Sequence, residues 1–304
     1  MKRKIVKQGG TALTVTLPSK WAADQNLKAG DEVELVQKGN ELTIKGQGEI
    51  PFESIEINIS GLEPKLIQYT MSALHKSGYD EITLLYDDEK AIVAIQEELK
   101  STLLGFIIMD QRPGKTVLRA LSKDNTAEFD HALKRSFLVT LSLGDSLYDL
   151  LKSKKHDEIG SLLPLEKTNN QLSNFCERLI NKSNFMNQKK SAFLFLIVWN
   201  IEKIADYYRD IINLVLEQKD YSVSSDSLEL LKDINKYLRY YYDLYYKFEL
   251  QKINYLLTER DKLKEKINKL SINTDNITIS LYDKYSKLLS TIFNLITTTI
   301  CINN

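Results

Sequence analysis

Cysteine is nearly absent: 304 residues hold two, Cys176 and Cys301, with no CxxC and no histidine close by. That excludes a disulfide framework and a zinc knuckle, and leaves both as small apolar residues. Net charge is absent too, since 41 Lys+Arg balance 41 Asp+Glu, so no global field draws the chain to a polyanion. Long apolar runs are missing. The longest nearly unbroken one, Phe193 to Trp199, is far short of the roughly 18 residues of a bilayer span, and the N-terminus lacks a signal-peptide apolar segment. The expectation is a cytoplasmic chain with no membrane insertion. Its three histidines, His75, His131 and His156, are too scattered for a nucleophile relay, and no phosphate-cradling glycine loop or triad is present. No enzyme is expected. What is present, 43 % apolar and 27 % charged residues, suffices for a packed core under a solvated surface.

Glycine and proline are scarce in one part of the chain only. Ten of the 12 Gly and four of the five Pro lie at or before position 114, and neither occurs after Pro164. Turns need these residues and helix interiors exclude them, so the chain reads as multidomain α+β, switching to all-helical near residue 125. Residues 1–47 predict a β-β-α-β-β unit, with strands at Lys4 to Lys7, Leu13 to Leu17, Asp31 to Val36 and Leu42 to Lys45 and a short helix at Ser19 to Gln25. Such a unit buries too little surface to be stable unaided and calls for a partner chain. Residues 54–124 predict a β-α-β-α-β-β order, a small α/β sandwich acting as connector or sensor. Residues 126–304 show apolar spacing of three and four through six segments, roughly 126–156, 161–183, 190–218, 225–248, 250–271 and 275–302, which predicts a bundle of two three-helix repeats. Twelve of 16 Tyr lie between 207 and 285, among them Tyr240, Tyr241, Tyr242, Tyr245 and Tyr246, and read as core or interface residues.

Two local patterns carry chemistry. Lys2, Arg3, Lys4, Lys7 and Lys20 precede the first acidic residue, Asp24. Doubled in a dimer, they would suit phosphate contacts on duplex DNA, with Arg3 the residue able to fork onto a guanine edge; on charge alone a solvated basic end reads equally. Glu202, Asp206 and Asp210, four residues apart, share one helix face. They read either as oxygen ligands of a hard or borderline metal ion or as a surface ion-pair network with Lys203 and Arg209.

Lys4-Ile5-Val6-Lys7-Gln8-Gly9-Gly10-Thr11, Val15-Thr16-Leu17-Pro18 and Leu27-Lys28-Ala29-Gly30-Asp31 resemble the AbrB/SpoVT swapped-hairpin domain. The resemblance implies an interlocked homodimeric β-barrel over residues 1–47, with DNA contacts from Lys2, Arg3, Lys4, Lys7 and Lys20. Ile201-Glu202-Lys203-Ile204-Ala205-Asp206 resembles the Glu-x-x-x-Asp motif of the PhoU family. That implies a divalent or ferric metal ion at Glu202 and Asp206, extended to Asp210, although Asn169 and Asn170 stand in the second helix where acidic residues are expected. The domain order as a whole resembles archaeal-type phosphate uptake regulators. It implies a transcriptional regulator linked to phosphate uptake, with the bundle sensing a metal, ion or partner. The alternative it leaves open is a PhoU-type adaptor that docks on a phosphate transporter or sensor kinase, its N-terminal domain only dimerising.

Overall fold

The computed structural model describes all residues except 46–51, 122–126, 183–187, 219–220, 273 and 304. The end of the expected 1–47 domain and the helical switch near residue 125 lie outside the described residues. The chain forms two compact units, Met1–Phe52 and Glu53–Asn304.

In the first unit, strands β1 (Ile5–Gln8) and β2 (Ala12–Val15) pair antiparallel, Ile5 opposite Val15 and Lys7 opposite Leu13. Gly9 turns the hairpin at φ +69°, a left-handed conformation that glycine adopts without steric cost. Helix α1 (Ser19–Asp24) follows, then the hairpin of β3 (Glu34–Lys38) and β4 (Glu41–Lys45). The third strand starts later than its alternation predicts because Asp31 belongs to a turn. Its amide donates to the Lys28 carbonyl at 3.1 Å, its carboxylate accepts the Lys28 amide at 2.6 Å, and Gly30 holds φ +101° between them. The two hairpins are separate two-stranded sheets, and no described residue of this unit is buried. Ile5 and Leu13 are each 68 % exposed and Leu42 59 %. Lone hairpins are marginal in water, and neither hairpin has a buried core of its own among the described residues.

The second unit begins with a four-stranded sheet ordered β5 (Ser54–Asn58), β6 (Glu81–Leu85), β8 (Lys115–Ala120), β7 (Phe106–Arg112). β5 and β6 are parallel, and the other pairings antiparallel. The parallel pair is joined by α2 (Pro64–Lys76), while α3 (Lys90–Ser101) links β6 to β7. Period-two alternation sends Ile82, Leu84 and Leu118 into a core with Ile67 and Met71 of α2 and Ile95 of α3.

A second core fills the helical part, made of α4 (Ala127–Lys152), a 3-10 turn at His156–Leu162, α5 (Leu163–Lys182), α6 (Gln188–Glu217), α7 (Ser225–Tyr246), a short turn at Leu250–Lys252, α8 (Ile253–Leu270) and α9 (Asn276–Asn303). The helices α4, α5 and α6 pack on one another, as do α7, α8 and α9; the triads meet through α4 with α7 and α6 with α9. Capping fixes the starts of α7 and α9. Ser224 Oγ accepts the Ser227 amide at 3.1 Å, and Asp275 Oδ1 accepts the amides of Ile277 and Thr278 at 2.9 and 3.0 Å. The Tyr208 ring of α6 reaches the α4 backbone at Gly144, where a Cβ would lie 2.6 Å from the Tyr208 hydroxyl. That hydroxyl donates to Asn235 Oδ1 at 2.7 Å. Tyr237 and Tyr241 are core residues, and Phe137 sits among Tyr241, Tyr242, Tyr245 and Tyr246. Helix α9 is long and apolar enough to cross a bilayer by length and composition alone. Its apolarity reflects packing, for Leu281, Leu288, Ile292 and Leu295 are fully buried.

Helix α5 fastens the bundle to the sheet layer. Arg178, 1 % exposed, donates to the carbonyls of His75 and Tyr79 and, at 3.0 Å, to Asp80 Oδ1. Asn181 donates to the Lys76 carbonyl at 2.8 Å, and Lys182 pairs with Asp80. These α5 side chains add donors to the His75 and Lys76 carbonyls at the C-terminal end of α2 and to Tyr79 just beyond it, beside the backbone caps that Ser77 and Gly78 supply. Gly78, at φ +97°, sits where a Cβ would lie 3.1 Å from that of Lys182. His75 is wholly buried, its ring edge-on to Phe106 at 5.1 Å, and Arg178 lies over the same Phe106 at 5.0 Å.

Candidate functional site

Lys2, Arg3 and Lys4 precede β1, Lys7 lies on it, and Lys20 lies in α1. All five are exposed and none forms an ion pair with a described residue. Strand alternation and register separate them, because Lys7 shares a face with the apolar Ile5, Leu13 and Val15. Lys7 therefore lies on the apolar face of the hairpin, while Lys2, Arg3 and Lys4 precede the strand.

Residues 6–51 match the family described as antidote-toxin recognition MazE, bacterial antitoxin. The N-terminal unit is a MazE/AbrB-type domain. No curated protein and no solved structure matches the chain. The match takes in both hairpins from Val6 on and lies beyond Lys2, Arg3 and Lys4; the Glu53–Asn304 unit is read from its own geometry.

In that unit the carboxylate row of α6 lies in an ion-pair network. Asp206 Oδ1 accepts from Arg209 and Oδ2 from Lys203, each at 2.6 Å. Arg209 also donates to Asp210 at 3.1 Å and to buried Glu166 at 2.6 Å. Glu202 Oε2 lies 3.9 Å from Lys76 and has no hydrogen-bond partner among the described residues. Among the described residues no group of three or more His, Cys, Asp or Glu side chains is arranged to hold a metal ion, and both oxygens of Asp206 are already taken by cations. As placed, these donors do not fit a metal. The two asparagines of α5 part company. Asn169 is buried and donates to Ser136 Oγ at 3.0 Å and Thr140 Oγ1 at 2.7 Å, a link between α5 and α4. Asn170 donates to Glu166 at 2.9 Å.

The row borders a cleft of about 510 Å³ between the sheet layer and the bundle. Four helices line it with stripes at helical spacing. From α2 come Lys65, Tyr69, Ser72 and Lys76, and from α3 Glu98; Thr102 follows one turn on. Asn170 and Asn174 enter from α5, and Trp199, Glu202, Asp206 and Arg209 from α6. Below Lys76 lies Glu177, wholly buried, one oxygen 3.0 Å from the Lys76 ammonium. Burial pushes the carboxyls of Glu98, Glu177 and Glu202 above their ordinary range; Lys76 opposes the rise in all three, and repulsion from Glu177 adds to it in Glu202. Sequence reading found Glu202 and Asp206 here but missed Lys76, Asn174 and Glu177. Their signal was the pairing at i and i+4 of Ser72 with Lys76 and Asn170 with Asn174, visible only once the four helices are brought together.

Proposed function

We propose that the chain is a homodimeric DNA-binding regulator acting in the cytoplasm. The MazE/AbrB-type domain contacts the duplex through Lys2, Arg3, Lys4 and Lys20, and the Glu53–Asn304 unit reads a signal. The observation that carries this is the coincidence in one small unit of unpaired exposed cations with apolar strands that have no core of their own. Association of two chains would bury the strands and double the charge on one face. The link to phosphate uptake rests on the PhoU resemblance. The contact pattern of two helix triads, first helix with first and third with third, supports it as the arrangement of a duplicated three-helix unit. No covalent chemistry is assigned to the chain.

The test is a duplex titration followed across salt concentration. Replacing Lys2 and Lys4 by Ala removes four cations per dimer, and if each meets a phosphate the slope of log K against log salt falls by about 3 to 4. An unchanged slope sinks the assignment and moves the weight to the adaptor reading, in which the bundle docks on a transporter or kinase. The family match favours one further reading, an antitoxin whose partner is a toxin protein. It predicts that the chain neutralises a co-expressed toxin, an outcome independent of the salt slope.

A further inference from the structure

We propose that the cleft between α2, α3, α5 and α6 binds a small organic amine or guanidine, a ligand that brings N–H donors and positive charge. The inference rests on the Glu53–Asn304 unit alone and stands whether or not the N-terminal unit binds DNA.

The cleft is of metabolite size at about 510 Å³, and buried acceptors at it lack hydrogen-bond partners among the described residues. Asn174 is 3 % exposed, lines the cleft, and its side chain makes no hydrogen bond to any described residue. One turn earlier, Asn170 Oδ1 is buried without a partner, and so is Glu202 Oε2 across from it; Glu177 Oε1 beneath is likewise unpartnered. The buried unpartnered atoms of Asn170, Glu202 and Glu177 are all oxygens that accept, and the Asn174 amide adds a further acceptor beside its own two N–H donors. Of the cations that line the cleft, Arg209 is committed to Glu166, Asp206 and Asp210 and Lys76 to Glu177, while Lys65 lies 4.9 Å from the centre of the Tyr69 ring. At 3.9 Å, Lys76 Nζ stands beyond hydrogen-bond reach of Glu202. Buried acceptors are ordinarily satisfied, and a ligand that donates would satisfy these.

The choice of an organic cation over other ligands follows from the same atoms. An anion would meet Lys65 but would leave the buried oxygens of Asn170, Glu202 and Glu177 without donors. A metal ion would have to compete with Arg209 and Lys203 for Asp206 and take amide oxygens for the rest. An ammonium or guanidinium needs only acceptors placed around it, and the ring of Trp199, with Lys203 and Lys76 already 5.0 and 5.8 Å from its centre, faces a region that holds cations. A ligand seated here touches α2 and α3 of the sheet layer and α5 and α6 of the bundle at once.

Calorimetric titration of the full chain with agmatine, putrescine and spermidine, with glutarate and Mn²⁺ as controls, tests the proposal. At least one amine should bind with saturation at one per chain. Glu202→Gln, which keeps the shape and removes the charge, and Asn174→Leu should each weaken it by about tenfold or more. Because either variant disturbs buried polar groups, Ala73→Trp is the second line of evidence. Ala73 is exposed and lines the cleft, so the indole fills the mouth and should abolish binding while the far-ultraviolet spectrum and melting temperature stay unchanged. No amine binding at millimolar concentration overturns the proposal. So does amine binding that Ala73→Trp and Glu202→Gln leave untouched, which marks diffuse surface attraction, or saturable binding of glutarate or Mn²⁺ alone.

Discussion

His75 should make the stability of the sheet layer and bundle acid-sensitive well above the range where ordinary carboxylates titrate. Its Nε2 lies 3.2 Å from the Leu104 carbonyl; a carbonyl only accepts, so Nε2 carries the proton. Nδ1 is buried with no partner, and a second proton there would place a charge in an apolar pocket beside Arg178. Burial first, and Arg178 next, therefore push the imidazole down from 6.5 to about 3. The unfolded chain takes up a proton near pH 6.5 and the folded chain does not. The neutral-His75 contribution is thus present above pH 6.5 and is lost as pH falls toward 3, at up to about 1.4 kcal/mol per unit. From pH 7 to pH 5 the loss is about 2 kcal/mol, and it hardly depends on the folded value so long as that value stays below about 4. Glu98, Glu177 and Glu202 act with the opposite sign. Their raised folded values make them gain protons on folding, so their burial is less costly at lower pH and is felt most as pH rises through those values. The assay therefore compares urea unfolding of the native chain with that of His75→Leu at pH 7 and pH 5. The variant should lack about 2 kcal/mol of the acid-induced loss. Equal losses in both proteins would refute the reasoning.

Other perturbations have directions set by the same structure. Arg178→Met removes the donor to Asp80 and to the last carbonyls of α2, and should destabilise by about 3 to 5 kcal/mol in chemical denaturation. Gly144→Ala places a methyl 2.6 Å from the Tyr208 hydroxyl and should cost about 1 to 3 kcal/mol by forcing α4 from α6, read as a lower unfolding midpoint. Leu13→Lys puts a charge on the exposed face of β2 and should shift the sedimenting species from dimer to monomer without altering the helical circular dichroism signal; an unchanged dimer would mean that association does not use this face.

Much of the fold was legible because glycine and proline mark the boundaries. Residues 54–124 show the expected β-α-β-α-β-β order, and helices α4 to α9 fall within a few residues of the segments set by periodicity, since tertiary packing here follows local preference. Asp31 was read as the start of a strand because its side-chain turn with Lys28 involves a backbone amide that composition does not reveal. Arg178 and Glu177 were illegible for a different reason. On α5 they occupy positions that a charge pattern assigns to water, and only docking of the sheet layer covers them. The basic end was legible in full as a cluster of charges, yet the face that Lys7 shares with Ile5 and Leu13 depends on register. In the carboxylate row, spacing found the face but could not say which cations meet it. Arg209 reaches Glu166, 43 residues away, a contact made by helix packing and not by neighbourhood along the chain.

The joint at the end of α2 has a consequence for how this unit opens. Arg178 and Asn181 hold the carbonyls of His75, Lys76 and Tyr79, so fraying α2 from its C-terminus strips α5 of buried hydrogen bonds, and loosening α5 leaves the end of α2 with only its backbone caps from Ser77 and Gly78. Neither helix can breathe alone. Their amides should exchange with deuterium as one cooperative block, with a shared opening free energy, and strain introduced at either helix is felt by both without any hinge between them.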